Sequence, residues 1–501
     1  MNYNFRDLIK KYCTLYQNNT FYNSNIVEKK ISYEHLQKFV QKFNTFLVKK
    51  KINKKQKILV IFENSKLLTL LYMSIIANNR IFVPVNPDIG PEELKYIIKK
   101  TEPRALFCDA SFKKKFTNAI KTIKEKVLIS NSENFIQKIF LLNEKIISPY
   151  PSSNIAQILF TSGSTGNPKG VVLTHSSIYQ NLIAIKKILN INLNKPKFMA
   201  VTPLYHNNGQ FIPTLLPLAL GGSTIAVNSK SSLLFFWDWI KLYKINYTSL
   251  MATHINYFNS LKKKNKYELK SVFCGGAKLD KTSHKIFEKK FKVNVFCNYG
   301  LTETSSIAAS EGPSGRKKGT VGKPLFNNII IIKNKRVNGY GEILIKGKNL
   351  FKSYLGNSKL TKQKFYNGFF KTGDLGKFDS QGFLHIKDRL DNMIIVSGEN
   401  IYPSDIENQI INFKGIKAGV VASIKDPVTQ NKLIFIYESN KIITYEVFYK
   451  FLETKISKFK IPKKIYRCDQ VQLNEIPKAA NKKILRSKLK IYINKNIHLF
   501  K

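Results

Sequence analysis

Acidic residues are scarce in this chain of 501 residues, which has 32 aspartates and glutamates against 83 lysines and arginines and therefore a formal net charge of +51 at pH 7. A charge of this sign is typical of proteins that bind nucleic acids or acidic membranes. The lysines, however, form short clusters along the whole chain without an RNA- or DNA-binding motif, and asparagine and isoleucine are over-used with them. An AT-rich genome explains this composition better than a polyanionic partner does. We therefore predict no specific nucleic-acid partner.

Cysteine is also rare. The five cysteines are scattered, odd in number and without metal-binding spacing: Cys13, Cys108, Cys274, Cys297 and Cys468. Such a set argues against a disulfide framework and against a zinc site, because both produce recurrent short spacings. The sequence therefore predicts reduced thiols.

Long apolar runs and an N-terminal signal sequence are absent as well. No window reaches the roughly 18 consecutive apolar residues that a membrane-spanning helix needs, and no charged start, apolar centre and small-residue cleavage site follow one another at the N-terminus. We therefore expect a cytoplasmic protein without a transmembrane segment. With 43% apolar residues, a chain of this length predicts two or three folding units.

A polar, glycine-rich loop stands out between two apolar segments, at residues 161–170. Its candidate anion-binding residues are Thr161, Ser162, Gly163, Ser164, Thr165, Gly166 and Lys169. Hydroxyl groups donate hydrogen bonds, glycines let backbone N–H groups approach an anion, and lysine adds positive charge. A Walker A loop is excluded, because Pro168 precedes Lys169 and a glycine follows it. The flanks at 157–160 and 171–173 are typical of strands, so we expect a phosphate-binding loop between two strands; a polar hairpin turn is the alternative.

Strand and helix patterns alternate on both sides of this loop. Before it, a buried strand at 58–62 is followed by an apolar helix at 67–77. After it, Ser176 or Ser177 is a candidate helix cap, and an apolar helix is predicted at 209–220 between two strand patterns. Such alternation predicts two largely parallel, doubly wound sheets covered by helices.

The pattern changes in the last third of the chain. Short strands and turns from Gly319 onward predict a small β-rich region, and a charged cluster at 388–392 separates it from a lysine-rich α+β segment. We therefore predict an α/β fold with a large N-terminal domain, residues 1–388, and a small α+β C-terminal domain, residues 389–501.

Two motifs resemble signatures of the AMP-forming acyl-adenylating superfamily, which includes acyl-CoA synthetases, firefly luciferase and peptide-synthetase adenylation domains. One is the loop at 161–170, and the other is Asn298-Tyr-Gly-Leu-Thr-Glu303. The resemblance is strongest to acyl-CoA synthetases. It implies that Asn298, Tyr299 and Gly300 belong to the nucleotide site, with the Tyr299 ring stacked on adenine, and that Thr302 contacts the α-phosphate and Glu303 holds Mg²⁺. An aromatic face, a hydroxyl and a hard carboxylate suit these three ligands.

The resemblance also implies an acyl side of the site. The segment Cys274-Gly-Gly-Ala-Lys278 follows a strand, and its match in the family lies against adenine and the acyl group. This assigns the role to Gly275, Gly276 and Ala277, although a tight turn explains the glycines as well. His206 matches a position beside the acyl pocket and the magnesium–phosphate site. The amides that follow it would make one pocket wall more polar than a long alkyl chain favours: Asn207, Asn208 and Gln210.

Ribose binding, domain rotation and thiol access are implied by two further segments. Asp374, in Phe370-Lys-Thr-Gly-Asp, matches the residue that accepts both ribose hydroxyls, and Arg389 closes the ribose from the other side. Asp391 falls on the hinge about which the family's mobile C-terminal domain rotates. Gly398 falls on the loop that lines the pantetheine tunnel after rotation.

The C-terminal motif Ile476-Pro-Lys-Ala-Ala-Asn-Lys-Lys-Ile-Leu-Arg486 resembles the family's catalytic-lysine loop. Counting from Pro477 identifies Lys483 as the catalytic lysine. The chain departs from the family here, because Lys482 replaces a glycine and Ala479 replaces a threonine.

The resemblance implies an AMP-forming acid–thiol ligase that uses ATP, Mg²⁺ and CoA to activate a fatty or other small organic acid. The alternative enzyme is a free-standing adenylating enzyme that loads an acyl or amino acid onto a carrier protein. From another class, the chain would be a basic nucleic-acid-binding protein or a catalytically inactive binding protein. The sequence identifies neither the acid nor the oligomeric state.

Overall fold

The computed structural model describes residues 3–23, 30–161, 168–228, 233–261, 267–313, 315–334, 338–396, 399–410, 413–426, 430–478 and 484–500. The strands are β1 Thr20–Tyr22, β2 Ile31–Ser32, β3 Lys57–Ile61, β4 Ile81–Pro84, β5 Ala105–Asp109, β6 Glu125–Ile129, β7 Ile155–Thr161, β8 Lys169–Thr174, β9 Lys197–Ala200, β10 Ser223–Ala226, β11 Tyr247–Leu250, β12 Ser271–Cys274, β13 Asn294–Tyr299, β14 Ala309–Ser310, β15 Lys323–Pro324, β16 Asn328–Lys333, β17 Gly341–Gly347, β18 Ser353–Tyr354, β19 Phe365–Tyr366, β20 Phe369–Phe378, β21 Leu384–Arg389, β22 Ile394–Val396, β23 Glu399–Ile401, β24 Ala418–Asp426, β25 Gln430–Glu438 and β26 Lys464–Arg467. The helices are α1 Phe5–Leu15, α2 Tyr33–Lys49, α3 Lys66–Ala77, α4 Pro91–Thr101, α5 Lys113–Phe116, α6 Ser132–Phe140, α7 His175–Leu189, α8 Asn207–Gln210, α9 Leu216–Leu220, α10 Phe236–Leu242, α11 Ala252–Ser260, α12 Lys281–Phe291, α13 Ser358–Gln363, α14 Pro403–Ile410, α15 Tyr445–Glu453 and α16 Arg486–Lys495.

The first sheet has the strand order β18-β8-β7-β4-β3-β5-β6. From β7 to β6 the strands run parallel, and β8 returns antiparallel to β7, with Thr161 opposite Lys169. The prediction that the glycine-rich loop joins two strands is therefore confirmed. Parallel strands are covered on both faces and are therefore largely apolar, as at residues 58–61 of β3. Helix α3 packs against this sheet with every residue buried.

The second sheet has the order β15-β14-β13-β12-β11-β9-β10-β1-β2. Its strands from β1 to β13 run parallel, and β2, β14 and β15 pair antiparallel at the two ends. Most strands of the first sheet thus precede the glycine-rich loop in the sequence and most strands of the second follow it, whereas β1 and β2 precede the loop and β18 follows it. This arrangement confirms the predicted α/β class with paired sheets.

Two helices differ from their predicted form. The cap of α7 is Thr174, whose hydroxyl accepts a hydrogen bond from the Ser177 N–H at 3.1 Å, so Ser177 is the third helical residue and neither Ser176 nor Ser177 is the cap. The apolar helix at 209–220 is interrupted by a π-helical turn, Phe211–Leu215. Pro213 lies within that turn and lacks an N–H group, which explains why a regular α-helix is broken there.

The rest of the chain forms smaller sheets. Strands β16, β17, β20 and β19 form an antiparallel sheet to which β21 adds, as predicted for the β-rich region. Beyond it lie the hairpin β22–β23 and the sheet β24-β25-β26 with α14, α15 and α16. Two apolar clusters in this segment contain only residues from Ile401 onward. The boundary between residues 388 and 389 stays a prediction. Within the described ranges, none of the helices has the length and apolar character needed to cross a membrane.

Candidate functional site

The candidate site begins at the carboxyl end of β13, where Tyr299 is the last strand residue. A Cβ atom on the next residue, Gly300, would overlap the carbonyl oxygen of Ser306, so only glycine permits the chain to fold back here. A 3₁₀ turn over Thr302–Thr304 follows. The fold therefore brings Tyr299 and Glu303 to the edge of a parallel sheet at which ligands commonly bind.

Tyr299, Asp374 and Arg389 form a connected group. The Tyr299 hydroxyl donates a hydrogen bond to Oδ2 of Asp374 at 2.7 Å, and Arg389 Nη1 lies 2.9 Å from Oδ1. Asp374 and Arg389 are also paired across β20 and β21. Burial, followed by the charge of Asp374, raises the pKa of Tyr299, so its phenol is protonated and serves as a donor. Burial lowers the pKa of Arg389, but the negative charges of Asp374, Asp391 and Glu303, together with Tyr299, outweigh burial and raise the pKa above its ordinary value.

The carboxylate of Asp374 keeps acceptor capacity for a ligand. Two carboxylate oxygens offer about four lone-pair positions, and Tyr299 and Arg389 use one on each oxygen. The arrangement is compatible with the proposed binding of a vicinal diol. The sequence motifs assigned Asp374 and Tyr299 separately, and the bond between them was not predicted.

Glu303 is tied to the first sheet through Tyr354. The Tyr354 hydroxyl donates to Oε1 of Glu303 at 2.7 Å, and the backbone N–H of Phe351 donates to the Glu303 carbonyl at 2.8 Å. Tyr354 lies in β18, opposite Val171 of β8. Burial and the charge of Glu303 raise the pKa of Tyr354. Among the described residues this leaves Oε2 of Glu303 available to a hard cation such as Mg²⁺.

Lys169, at the end of the glycine-rich loop, interacts electrostatically with residues of two other motifs. Its pKa is lowered by burial and by the charge of Lys364, whereas Glu303 and Asp391 oppose this shift. The side chain of Lys169 therefore lies near the predicted magnesium ligand. Thr161, at the other end of the loop, is paired with Lys169 across β7 and β8.

Residues predicted to contact the acyl group lie near the carboxyl ends of β11 and β12. Oδ1 of Asn208 accepts a hydrogen bond from Ser249 at 2.9 Å, and Nδ2 of Asn208 lies 3.7 Å from the position of a Cβ on Gly275. Nδ2 of Asn207 lies 3.4 Å from the Thr302 carbonyl oxygen. Asn208 and Gly275 were each assigned to the acyl side, whereas Ser249 was missed. Ser249 lies near the carboxyl end of β11, a strand that was not predicted from the sequence.

The other predicted acyl-side residues differ from one another in exposure. Burial lowers the pKa of His206 to about 4, so its ring is neutral at pH 7. Gln210 is fully buried and donates to the Leu204 carbonyl at 2.8 Å, a contact within its own loop. Gly276 has a positive φ of 81° and is exposed like Ala277, so a tight turn accounts for the second glycine and its ligand role stays a prediction.

The predicted hinge residue, Asp391, is the exposed residue of a 3₁₀ turn, Leu390–Asn392, directly after β21. Asp388, within β21, accepts hydrogen bonds from the Asn392 side chain at 2.9 Å and from the Ser404 N–H at 3.3 Å. Lys387 pairs with Asp405 at 3.1 Å. These contacts join the end of β21 to the start of α14. The assignment of Asp391 as the pivot stays a prediction.

Several predicted site residues lie outside the described residues, and their assignment is unchanged from the sequence. They are Ser162, Gly163, Ser164, Thr165 and Gly166 in the glycine-rich loop, Gly398 in the predicted thiol tunnel, and Lys483 with the neighbouring departures Lys482 and Ala479. Asn298 is described and buried, and its Oδ1 accepts a hydrogen bond from the Ser310 hydroxyl.

Comparison with known proteins identifies related sequences. The family model described as "AMP-binding enzyme" matches residues 11–355. A 2-succinylbenzoate–CoA ligase from Staphylococcus epidermidis is 33% identical over 342 residues, which are 67% of this chain and 70% of that protein. A 2-succinylbenzoate–CoA ligase from Bacillus cereus is 28% identical over 475 residues, 93% of this chain and 94% of that one.

Solved structures share the fold along nearly the whole chain. The o-succinylbenzoate CoA synthetase of Bacillus subtilis, in complex with its acyl-adenylate intermediate, has a TM-score of 0.85 at 23% identity and covers 96% of this chain and 97% of its own. ATP-bound MatB from Rhodopseudomonas palustris has a TM-score of 0.87 at 22% identity, and the match covers 98% of this chain and 99% of that one. At these identities the likeness concerns the fold.

Proposed function

Because the chain belongs to the AMP-binding enzyme family, we propose that it joins 2-succinylbenzoate to CoA. The general activity, an AMP-forming CoA ligase that uses ATP, Mg²⁺ and CoA, follows from the family and from relatives that match nearly the full length. In the first half-reaction a carboxylate oxygen attacks the α-phosphorus of ATP and displaces pyrophosphate. In the second, the CoA thiol attacks the acyl carbon and displaces AMP.

The expectation of a fatty acid receives no support from the relatives. The relatives that match most of the chain are named as ligases of 2-succinylbenzoate, which is an aromatic dicarboxylic acid. The observation that supports such a substrate here is the pair Asn208 and Ser249 beside Gly275. Ser249 binds Oδ1 of Asn208, so the Nδ2 group of Asn208 is the donor that can bind a second carboxylate or a keto group, whereas an alkyl chain offers it no acceptor.

The residues of the site have distinct proposed tasks in adenylation. Tyr299 presents its ring to adenine while its hydroxyl, with Arg389, holds Asp374 against the ribose. Mg²⁺, when bound at Glu303, neutralises charge on the phosphates. Lys169 and the loop at 161–170 donate to the phosphate oxygens, and Lys483 lowers the repulsion between the attacking carboxylate and the α-phosphate. Positioning and electrostatic stabilisation are therefore the sources of rate enhancement.

Pyrophosphate release over a panel of acids tests the proposal. We expect 2-succinylbenzoate to give a kcat/KM at least about 100-fold above that of octanoate, palmitate or benzoate, because unpaired polar groups in the site penalise substrates without a second polar end. Preference for octanoate or palmitate would overturn the substrate assignment. Absence of pyrophosphate release with every acid would instead favour a catalytically inactive binding protein.

The thiol acceptor is tested in the same assay. We expect thioester formation with CoA and none with a phosphopantetheinylated acyl carrier protein supplied at equal concentration. Transfer to the carrier protein with little transfer to CoA would favour the free-standing loading enzyme. Both acceptors present the same thiol arm, so only this comparison separates them.

A further inference from the structure

A buried group of sulfur, nitrogen and oxygen ligands lies directly behind the nucleotide strand. His284 of α12, Cys297 of β13 and Glu311, just after β14, place one potential ligand atom each within 4.8 Å of one another. All three side chains are buried, with exposed fractions of 1%, 6% and 0%. Cys297 immediately precedes Asn298 and Tyr299, so this group supports the strand that carries the adenine motif without belonging to it.

The histidine is oriented as metal-binding histidines are. Nδ1 of His284 lies 3.8 Å from Sγ of Cys297, and Nε2 lies 3.2 Å from Oε1 of Glu288. A carboxylate beside the far ring nitrogen is the arrangement that orients metal-binding histidines, and here the two groups are in ion-pair contact without the geometry of a hydrogen bond. In tetrahedral zinc sites, bond lengths near 2.3 Å to sulfur and 2.1 Å to nitrogen separate these two ligands by about 3.6 Å. The observed separation is close to this value.

Glu311 supplies a buried carboxylate that lacks a cationic partner. Its oxygens accept hydrogen bonds from the backbone N–H groups of Cys297 and Lys317, both at 2.9 Å. In the ranges that the structure describes, it makes no ion pair with lysine or arginine within 4.0 Å. Burying an unpaired carboxylate is costly, and each oxygen retains a lone pair that a cation would occupy.

Cys274 lies beside this group without belonging to it. It is aligned with Cys297 in the parallel pair β12 and β13, on the neighbouring strand. Cys274 is also buried. The spacing of these residues in the sequence gave no metal signal, because the ligands come from separate elements that only the sheet brings together.

We propose that His284, Cys297 and Glu311 bind a Zn²⁺ ion that supports the strand of the adenine motif. A mixed set of thiolate, imidazole and carboxylate suits Zn²⁺, whereas Mg²⁺ and Ca²⁺ require oxygen ligands. Binding forms the Zn–S, Zn–N and Zn–O bonds and releases the Cys297 thiol proton and any proton on His284 to solvent. The ion connects α12 with β13 and with the residue that follows β14.

The test is elemental analysis of tag-free protein that is expressed with zinc in the medium and then desalted. We expect about one zinc per chain in the wild type. Cys297→Ala should retain less than about one tenth of it, since a thiolate ligand is lost. The matched control is Cys13→Ala, because Cys13 is equally buried but far from the group in the sequence, and this variant should keep the full amount. Wild-type protein without zinc overturns the proposal, as does equal zinc in both variants.

A spectroscopic measurement on the wild-type protein tests the same proposal and does not depend on whether the variants fold. After chelation and reloading with Co²⁺, we expect a thiolate-to-cobalt charge-transfer band, and we expect the Tm to fall on chelation and recover with Zn²⁺ but not with Mg²⁺. A cobalt spectrum without thiolate bands overturns the proposal. So does a disulfide between Cys274 and Cys297 detected by mass spectrometry in metal-free protein that has an unchanged Tm.

Discussion

The phenol of Tyr299 donates a hydrogen bond to Oδ2 of Asp374 at 2.7 Å and so joins two motifs that are 75 residues apart in the sequence. Both side chains are buried, and Arg389 binds the other carboxylate oxygen. A buried phenol–carboxylate bond holds each group in one orientation. The ring proposed to contact adenine and the carboxylate proposed to contact ribose are therefore positioned together.

Tyr299→Phe should weaken ATP use although it keeps the aromatic ring. A hydrogen bond to a charged group contributes about 1.5–3 kcal/mol, so we expect kcat/KM for ATP to fall about 10- to 100-fold, mainly through KM. Tyr366→Phe, which changes an exposed tyrosine of β19, serves as the control and should leave kcat/KM unchanged. If Tyr299→Phe kept the wild-type KM for ATP, the hydrogen bond between Tyr299 and Asp374 would not contribute to nucleotide binding.

Glu303→Gln should impair adenylation, because an amide keeps the size of the side chain but removes the charge that attracts Mg²⁺. Loss of one preorganised electrostatic interaction costs about 100- to 1000-fold in kcat. Tyr354→Phe removes only the hydrogen bond to Glu303, and we expect a loss of less than about tenfold. The measurement is pyrophosphate release as a function of Mg²⁺ concentration, and equal effects of the two changes would contradict the metal assignment.

Much of the fold was predictable because its signals are local. Apolar runs and helical spacing identify many strands and helices of both sheets. The short apolar runs at 157–160 and 171–173 predict the two strands that the glycine-rich loop joins. The cap of α7 was misassigned by a few residues, since Thr174, Ser176 and Ser177 all carry hydroxyl groups and only the backbone geometry distinguishes them.

The connections within the site were not predictable, because they join side chains that are distant in sequence. Nothing in either segment indicates that Tyr354 donates to Glu303 or that Ser249 donates to Asn208. These bonds exist because strand order in the sheets brings separate segments to one edge. The motifs thus indicated which residues act, and the sheets determine which of them are in contact.

Asp391→Pro tests the predicted hinge. Proline fixes φ near −65° and restricts the preceding residue, so we expect thioester formation to fall much more than acyl-AMP formation. Asp391→Ala, which keeps backbone freedom, should affect the two half-reactions equally and slightly. Equal loss of both half-reactions in a folded Asp391→Pro variant would argue against rotation about this residue.

Lys483→Ala should nearly abolish pyrophosphate release, because removing a preorganised charge costs about two to three powers of ten in rate. The variant should still convert supplied acyl-AMP and CoA into thioester, since the lysine is proposed to act only in adenylation. Lys482→Ala is the matched control and should be nearly as active as the wild type. If the two variants exchange their effects, the catalytic lysine is Lys482.

The central claim is that this chain activates 2-succinylbenzoate through an acyl-adenylate, and oxygen transfer tests it most directly. The acid is labelled with ¹⁸O in its carboxylates and incubated with the enzyme, ATP, Mg²⁺ and CoA. The oxygen that attacks the α-phosphorus stays on phosphorus when CoA displaces AMP, so mass spectrometry should find a single ¹⁸O atom in each AMP and none in pyrophosphate. Unlabelled AMP, or label in another phosphate product, would contradict the account.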